Sequence, residues 1–428
     1  MMRYFKLLLM ALLVLVVVIG SFGAGMVFHA DFLRPAQTVA QATTVSFNSV
    51  AELDQSPSPS MPLAPSEFAA FWEAWSFLEN QFYGDIPSDS ERMYGAIRGM
   101  VNSYGDQHTA FIDPARATIM SENIRGSFEG IGATVRLDEL DRLVIVEALP
   151  ERPAFQAGLR AKDVVLKVDG LPVDGLSLYE AVALIRGPAG STVVLMVARE
   201  GKREPFEVPV VRAKIEIKVV ESKILEDAPE IGYVRLTQFS NGAARKVARA
   251  IKTLLDSGAT AIIFDLRGNP GGLLSEAVEV SSLFVADGTI VVEKLKDGQD
   301  KRFNAAYHPH VATEIPLVLL VNGGSASASE IVAGAMQDLE RATLVGEQTF
   351  GKGSVQLPHN LSDGSELRVT IAEWLTPALR QINGQGITPD IAVEMTAEEV
   401  EQDLDPQLDA AVEYLQTTQK LPLSQSAK

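Results

Sequence analysis

Three serines, at positions 325, 327 and 329, lie close together in the stretch VNGGSASASEIVAGAM. An apolar run precedes them and an amphipathic run follows, which predicts a strand, a turn and then a helix. A serine at such a turn gains as a nucleophile from the helix dipole and from nearby backbone N–H groups. Ser327 and Glu330 also have capping-box spacing, which explains one serine structurally but not its neighbours. The turn is therefore a candidate nucleophile site, without the G-x-S-x-G elbow of α/β-hydrolases.

A serine nucleophile needs a base, and both histidine and lysine are candidates. Of the five histidines, His108 and His359 lie near other suggestive residues, whereas HPH at 308–310 has no convincing third metal ligand and is typical of a surface turn. Burial lowers the pKa of a lysine, so that its neutral amine can accept a serine proton. Lys352 lies between two glycines, where the backbone can bend to bury it, and Gln356 could orient its amine. The alternative is a solvated loop lysine.

The lysine segment GEQTFGKGSVQ also fits part of a phosphate-binding loop, through Gly346, Gly351 and Lys352. Gly353 stands where that loop needs Ser or Thr for Mg²⁺, and the extended run after it is not a helix start. The strand-like AIIFDLRG precedes this segment, so the order also argues against nucleotide hydrolysis. GNPGG, after that strand, is either a plain turn or a loop whose N–H groups approach a ligand, as in an oxyanion hole.

Composition limits the class of protein. The chain has 428 residues, 46% of them hydrophobic, which is enough for two or three domains with cores. Its formal charge of −18 argues against a nucleic-acid partner, because phosphates demand clustered Lys and Arg. Cysteine is absent, which excludes disulfides and cysteine-ligated metals. We expect neither a metal nor a cofactor.

The N-terminus predicts contact with a membrane. Arg3 and Lys6 precede an uncharged apolar run at 7–28, which is long enough to span a bilayer. An A-x-A pattern at 40–42 lies far beyond this run, so its length favours an uncleaved anchor over a signal sequence. Because basic residues lead the segment, we expect the body on the outer side of the plasma membrane, or secreted or periplasmic if the segment is removed.

The remaining pattern predicts a multidomain α+β protein. SPSPSMPLAPS is typical of a flexible linker, and EFAAFWEAWSFLENQF has the apolar spacing of a helix with a buried stripe. After residue 125 a period of two predicts a mainly β module with one helix, SLYEAVALIRG. From residue 231 strand-like and helix-like segments alternate, which predicts an α/β core. EEVEQDLDPQLDAAVEYLQ predicts one acidic tail helix that packs on the core or mediates dimerisation.

Several motifs together resemble one known family. DLRGNPGG, SASASEIVAGAM, GEQTFGKGSVQ and GITPDI are similar to motifs of the carboxy-terminal processing peptidases, also called tail-specific proteases, with Lys352 25 residues after Ser327. GAIRGMVNSYGDQHTAFIDP resembles the family's N-terminal helical region, and GSFEGIGATV through PAFQAGLRAKDVVLKVDG resembles its PDZ domain. The resemblance covers most of the chain. GDQHT replaces the family's common GDPHT, a loop change that we do not connect to catalysis.

The resemblance implies a serine endopeptidase that forms an acyl-enzyme with a Ser/Lys dyad. Ser327 would be the nucleophile, Lys352 the general base, and Gln356 the residue that holds the lysine. The implied substrates are extracytoplasmic proteins with exposed apolar C-termini. Two rival functions are a catalytically silent PDZ scaffold that binds C-termini at the membrane and a carrier of small hydrophobic ligands.

Two sets of backbone N–H groups acquire roles from the resemblance. The implied oxyanion hole uses the N–H of Ala328 and that of either Gly271 or Gly272. A PDZ domain binds a free C-terminus by strand addition, with N–H groups of a loop directed at the terminal carboxylate. The loop that would do so here consists of Gly130, Ile131, Gly132 and Ala133. A plain turn is the alternative interpretation of these glycines.

The fold implied is multidomain α+β, with an N-terminal membrane segment, a small helical domain, a PDZ-like β module and an α/β protease core of the ClpP/crotonase-like type. The predicted divisions are a signal sequence or membrane anchor at 1–30, a flexible linker at 31–65, a helical region at 66–124, a PDZ domain at 125–214, a serine protease core at 215–395 and a helical tail at 396–428. The sequence leaves open an adaptor or activator protein and a homo-oligomer.

Overall fold

The computed structural model describes residues 68–306 and 311–418. The chain divides into two units, at 1–86 and 87–428. The predicted membrane segment, the whole of the predicted linker and the HPH histidines lie outside the described residues. Within the described ranges, no helix combines the length and the apolar character needed to cross a bilayer.

The first unit contains helix α1, Ala69–Gln81. Its aromatic rings contact one another, as in the pairs Phe71–Trp72 and Phe71–Trp75. No residue of the helix is buried, and Trp72 is 60% exposed. The prediction of a buried stripe is therefore wrong. A helical period identifies the apolar face of a helix, but it does not supply a surface that covers this face.

The second unit begins with two capped helices around a short strand. These elements are α2 (Asp89–Asn102), β1 (Ala110–Ile112) and α3 (Pro114–Arg125). Ser88 and Glu91 form a capping box at the start of α2. The Asp113 side chain accepts a hydrogen bond at the start of α3, and Gly126 ends that helix with a φ of 75°. Such a left-handed conformation favours glycine.

The β module follows and has its own apolar core. Its elements are β2 (Ser127–Gly130), β3 (Ala133–Leu137), β4 (Leu143–Ala148), α4 (Pro153–Gln156), β5 (Val164–Val168), β6 (Leu171–Pro172), α5 (Leu178–Ile185), β7 (Thr192–Ala198), β8 (Phe206–Val211) and β9 (Ala213–Glu216). One sheet has the order β3-β4-β5-β7-β8 with β6 beside β5, and β2 pairs with β9. The helix predicted between the later strands is α5.

The α/β core is built on a second sheet. Its elements are β10 (Val220–Ile224), β11 (Ile231–Leu236), α6 (Ala243–Asp256), β12 (Ala261–Asp265), α7 (Leu274–Ser282), β15 (Leu317–Val321), α8 (Ala328–Asp338), β16 (Thr343–Gly346) and β19 (Ile391–Ala392), with β13 (Thr289–Leu295) and β14 (Asp300–Asn304) inserted after α7. The order is β10-β11-β12-β15-β16-β19, and all pairs from β11 onwards are parallel. Every residue of β12 and β15 is buried, as expected for central strands of a covered parallel sheet.

Helices cover both faces of this sheet. Residues of α6, α7 and α8 pack in the large core on one face. The opposite face is covered by α10 (Pro406–Thr418), whose Ala411 and Leu415 are fully buried. The predicted single tail helix is in fact two helices, because α9 (Ala397–Glu401) ends before Asp403, whose φ is 58°, and Pro406 starts a new helix. Proline is tolerated in a first turn but breaks a continuing helix.

A smaller antiparallel sheet lies beside the core. It has the order β1-β18-β13-β14, with β17 (Ser354–Asn360) paired to β18 (Glu366–Leu375). Three loops then leave the carboxyl ends of neighbouring parallel strands. We name them the glycine loop (266–272, after β12), the serine loop (322–327, after β15) and the lysine loop (347–353, after β16). Ligands of α/β proteins bind at this edge of the sheet.

Candidate active site

The three candidate serines have different surroundings. Ser325 and Ser329 are fully buried, and their hydroxyls donate to the carbonyl oxygens of Leu266 and Asn269, each at 2.8 Å. Ser327, directly before α8, is partly exposed. Its φ of 55° is strained for a residue with a side chain, and such strain concentrates at active sites. Ser327 is thus the one of the three that is not buried.

Glu330, in the first turn of α8, connects the serine loop to the lysine loop. Its side chain is fully buried, and its carboxylate accepts four hydrogen bonds. Oε2 accepts the backbone N–H groups of Ser327 and Lys352, each at 2.8 Å. Oε1 accepts the N–H of Gly351 and the hydroxyl of Thr349, each at 2.6 Å. The backbone nitrogens of Ser327 and Lys352, which are far apart in sequence, therefore lie within two hydrogen-bond lengths of each other.

Lys352 is partly buried on the lysine loop. Burial lowers the pKa of its amine, and the charge of Arg368 lowers it further, while the carboxylate of Glu330 acts in the opposite direction. The net effect is a pKa below the ordinary value of lysine. A Cβ at Gly353 would lie 2.2 Å from the backbone nitrogen of Asn383, so only glycine permits this path of the loop. A lysine with a lowered pKa can act as a neutral base.

Gln356 lies on β17, the strand that follows the lysine loop. Its Nε2 donates to Ser354 Oγ at 2.7 Å and to Thr370 Oγ1 at 3.4 Å. In the part of the chain that the structure describes, no hydrogen bond joins Gln356 to Lys352. The pairing of β17 with β18 is irregular between Val355 and Gln356, and irregularities of this kind change the direction of a side chain. The predicted contact with the lysine amine stays a prediction.

The glycine loop passes directly beside the serine loop. A Cβ at Gly271 would lie 2.8 Å from the carbonyl oxygen of Ala326 and 2.9 Å from the nitrogen of Ala328, so only glycine allows this approach. The N–H of Gly271 donates to Asn269 Oδ1 at 2.9 Å. The N–H groups of Gly272 and Ala328 make no hydrogen bond to any described residue. These two donors therefore remain available to a ligand.

Asn269 and Glu330 are the polar residues of this site whose importance the sequence did not reveal. Asn269 is fully buried, and its Nδ2 donates to the carbonyl oxygen of Leu236 at 2.8 Å. Its own carbonyl oxygen accepts the N–H of Ala326 at 3.0 Å, which joins the glycine loop to the serine loop. The available signals were the position of Asn269 within GNPGG and the capping-box spacing of Glu330.

The predicted carboxylate-binding loop connects β2 to β3 in the β module. The carbonyl oxygens of Ile131 and Gly132 accept the N–H groups of Ala154 and Leu149, at 2.8 and 3.1 Å. The N–H groups of Ile131 and Gly132 themselves bond to no described residue. β3 is an edge strand of its sheet. An open edge beside free N–H groups is the arrangement that strand addition of a peptide requires.

Comparison with known proteins identifies the β module and the α/β core. Residues 230–393 match the profile of "Peptidase family S41", and residues 129–210 match that of "PDZ domain". The "Carboxy-terminal-processing protease" of Bartonella bacilliformis is 39% identical over 333 residues, which is 77% of this chain and 75% of that protein. The "Carboxyl-terminal-processing protease" of Synechocystis sp. is 37% identical over 80% of this chain and 81% of that protein.

A solved structure described as a photosystem II D1 C-terminal processing protease is 30% identical with a TM-score of 0.47, and the match covers 81% of this chain and 91% of that one. The resemblance seen in the motifs is confirmed by the profile matches and by the identity over three quarters of the relatives' length. The chain belongs to the carboxy-terminal processing proteases of peptidase family S41, and it is a serine-type peptidase with a PDZ domain.

Proposed function

We propose that the protein is an extracytoplasmic endopeptidase that binds the apolar C-terminal tail of a substrate in its PDZ domain and cleaves the substrate with a Ser/Lys dyad. The observation that supports the dyad best is the shared carboxylate of Glu330, which binds the backbones of Ser327 and Lys352 at once. The lowered pKa of Lys352 supports the same assignment, because a base must be neutral before it can accept a proton.

The chemistry begins with proton transfer. The neutral amine of Lys352 accepts the hydroxyl proton of Ser327 as Oγ bonds to the scissile carbonyl carbon. The carbonyl oxygen becomes an oxyanion, which the N–H groups of Ala328 and Gly272 stabilise. The lysine ammonium then donates its proton to the leaving amine, and the C–N bond breaks to give an acyl-enzyme. Water then loses a proton to the same lysine as its oxygen bonds to the ester carbonyl carbon. The acyl–Oγ bond breaks, the lysine ammonium returns the proton to Ser327 Oγ, and the carboxylic acid product leaves.

Gln356 is assigned the role of holding the lysine amine. This role requires its Oε1 to accept a hydrogen bond from Nζ of Lys352, while Nε2 keeps its bond to Ser354. Its place on the strand that directly follows the lysine loop supports the assignment.

Substrate recognition is assigned to the loop between β2 and β3. The free N–H groups of Ile131 and Gly132 would bind the terminal carboxylate, and the peptide would add to the edge of β3. The basic residues that lead the apolar run at 7–28 support a plasma-membrane anchor with the body outside, or a secreted or periplasmic protein if the run is removed.

The test uses a soluble form that begins after Ala42 and a poorly folded protein with an apolar C-terminal tail, followed by mass spectrometry. The parent and Lys252→Ala, which removes an exposed lysine on α6, should cleave the substrate. Ser327→Ala and Lys352→Ala should bind the tail without cleaving it. Replacing the tail's last residues with aspartates should remove cleavage.

Cleavage by the Ser327→Ala protein would show that another nucleophile acts. Equal cleavage of apolar and aspartate tails would refute the role of the PDZ domain. Tail binding without cleavage by the parent would indicate either a silent scaffold or a peptidase that needs an activator, and adding cell extract distinguishes the two.

A further inference from the structure

Arg267, on the glycine loop, binds the segment that starts α10. Its guanidinium donates to both carboxylate oxygens of Asp405, at 2.7 and 2.8 Å, and also to Asp265 at the end of β12. The Arg267 side chain is only 10% exposed. Asp405 Oδ1 in turn accepts the N–H of Leu408, so the same carboxylate caps α10. The residue that leads into GNPGG is therefore fixed between its own strand and the C-terminal helix.

Gln407, in the first turn of α10, extends this contact to the lysine loop. The residue is fully buried. Its Oε1 accepts Nη1 of Arg267 at 3.1 Å, and its Nε2 donates to Glu347 Oε1 at 3.2 Å and to the carbonyl oxygen of Val393 at 2.8 Å. Glu347 is the first residue of the lysine loop, and its N–H donates to the carbonyl oxygen of Val321, where β15 ends. One side chain of α10 thus joins two of the three loops of the site.

These polar contacts are not needed merely to hold α10 on the sheet. The helix buries Ala411 and Leu415 completely against the sheet face opposite α6, α7 and α8. A buried ion pair is commonly no more stabilising than apolar residues of the same size, because its charges lose their hydration. What a bidentate arginine pair does supply is a fixed geometry. Here that geometry lies where the two loops leave the sheet.

We propose that Asp405 and Gln407 are positioning residues of the peptidase, through which the start of α10 fixes the positions of the glycine loop and the lysine loop relative to Ser327. This inference rests on the proposed function, because these two loops carry the same oxyanion donor and the same base. The tail helix, for which the sequence allowed packing or dimerisation, becomes part of the frame of the active site.

The first test compares Gln407→Ala with Gln416→Ala in the full-length protein. Gln416 is a matched control, because it also donates from α10 through its side-chain amide, at 3.0 Å, but to Glu230. Gln407→Ala should lower kcat on the tail-bearing protein by about 10- to 100-fold with KM within about twofold, as expected for misplaced catalytic groups. Gln416→Ala should keep both constants.

Hydrogen–deuterium exchange separates the two arms of the contact. Asp405→Asn keeps the shape of the side chain but weakens the ion pair with Arg267, so backbone exchange should accelerate in the glycine loop (266–272). Gln407→Glu keeps an acceptor for Arg267 but presents a carboxylate to that of Glu347, so backbone exchange should accelerate in the lysine loop (347–353). These two variants decide the question even if Gln407→Ala does not fold.

The same exchange experiment in a Ser327→Ala background does not depend on catalysis. If the parent enzyme is inactive on the tail-bearing protein even after cell extract is added, the proposed function fails, but faster exchange in the named segments still supports the positioning contact. Equal kcat values for Gln407→Ala and Gln416→Ala would overturn the inference. Unchanged exchange in both segments for Asp405→Asn and Gln407→Glu would overturn it as well.

Discussion

Replacing Glu330 with glutamine tests whether one buried carboxylate holds the two residues of the proposed dyad together. All four groups around the carboxylate are donors: three backbone N–H groups and one hydroxyl. A glutamine of the same shape has one acceptor oxygen, and its NH₂ group would face two donors. If the NH₂ group turns towards Ser327 and Lys352, both of those bonds are lost. If it turns towards Thr349 and Gly351, the bond to Gly351 is lost, while the Thr349 hydroxyl can rotate and accept from the amide.

The size of the effect follows from these bonds. A hydrogen bond to a charged group stabilises by about 1.5–3 kcal/mol, so the loss of one or two such bonds costs about 1.5–6 kcal/mol. Because unfolding of native proteins costs about 5–15 kcal/mol, we expect the Glu330→Gln protein to fold with a lower Tm. A shift of the lysine loop by about 1 Å should lower kcat about 100-fold. In the parent, the charge of the Glu330 carboxylate raises the pKa of Lys352. Removing that charge lowers this pKa, so the acid limb of kcat/KM should move to lower pH.

The assay measures kcat/KM against pH for the parent and the variant, beside thermal unfolding. Glu276→Gln is the matched control, since Glu276 is also a buried carboxylate and accepts the N–H groups of Gly242 and Ala244. The control should lose stability without moving the acid limb. A folded Glu330→Gln protein with the kcat and the acid limb of the parent would refute the reasoning.

Three further predictions concern single groups. In the parent, kcat/KM should rise with pH through the lowered pKa of Lys352, so its acid limb should lie below the ordinary lysine value of about 10.4, and a limb at that value would contradict a buried base. Gly271→Ala should lower kcat at least about 100-fold, because a Cβ would lie 2.8 Å from a backbone oxygen of the serine loop, whereas Gly99→Ala on α2, whose Cβ would meet nothing within 4 Å, should keep most activity. Burial raises the pKa of Asp106, but hydrogen bonds led by that of Thr109 hold it at about 2. The Tm difference between the parent and Asp106→Asn should therefore be full above about pH 4 and vanish as the pH falls through about 2, and a difference that is independent of pH would contradict it.

The regular elements of the α/β core were predictable because their signal lies within each segment. AIIFD predicts a buried strand, and every residue of β12 is buried. The spacing of apolar residues in AARKVARAIKTLLD predicts a helix with one buried face. On α6, four residues of this face are in the core and two are partly buried against it: Ala244, Val247, Ile251 and Leu254, then Ala248 and Leu255. The position of the three serines at a turn was also predictable, because a strand followed by a turn and a helix is a local pattern.

Contacts between loops were not predictable, because they depend on partners far away in sequence. The sequence left open which of Gly271 and Gly272 completes an oxyanion hole. The structure turns the N–H of Gly271 towards Asn269, a direction that only the packing of the glycine loop on the serine loop determines. Glu330 likewise has the spacing of an ordinary capping box, and its bonds to Gly351 and Lys352 leave no trace in the local pattern.

The sheet explains why the serine loop and the lysine loop lie side by side, but not why the pKa of Lys352 is lowered. Parallel neighbours are about 4.8 Å apart, so β15 and β16 bring their loops side by side. A carboxylate this close would keep Lys352 charged if it paired with Nζ. Glu330 instead accepts three backbone N–H groups and a hydroxyl, which occupy its lone pairs. It can therefore position the lysine loop while burial remains the largest influence on the pKa of Lys352, and a Ser/Lys dyad needs both conditions.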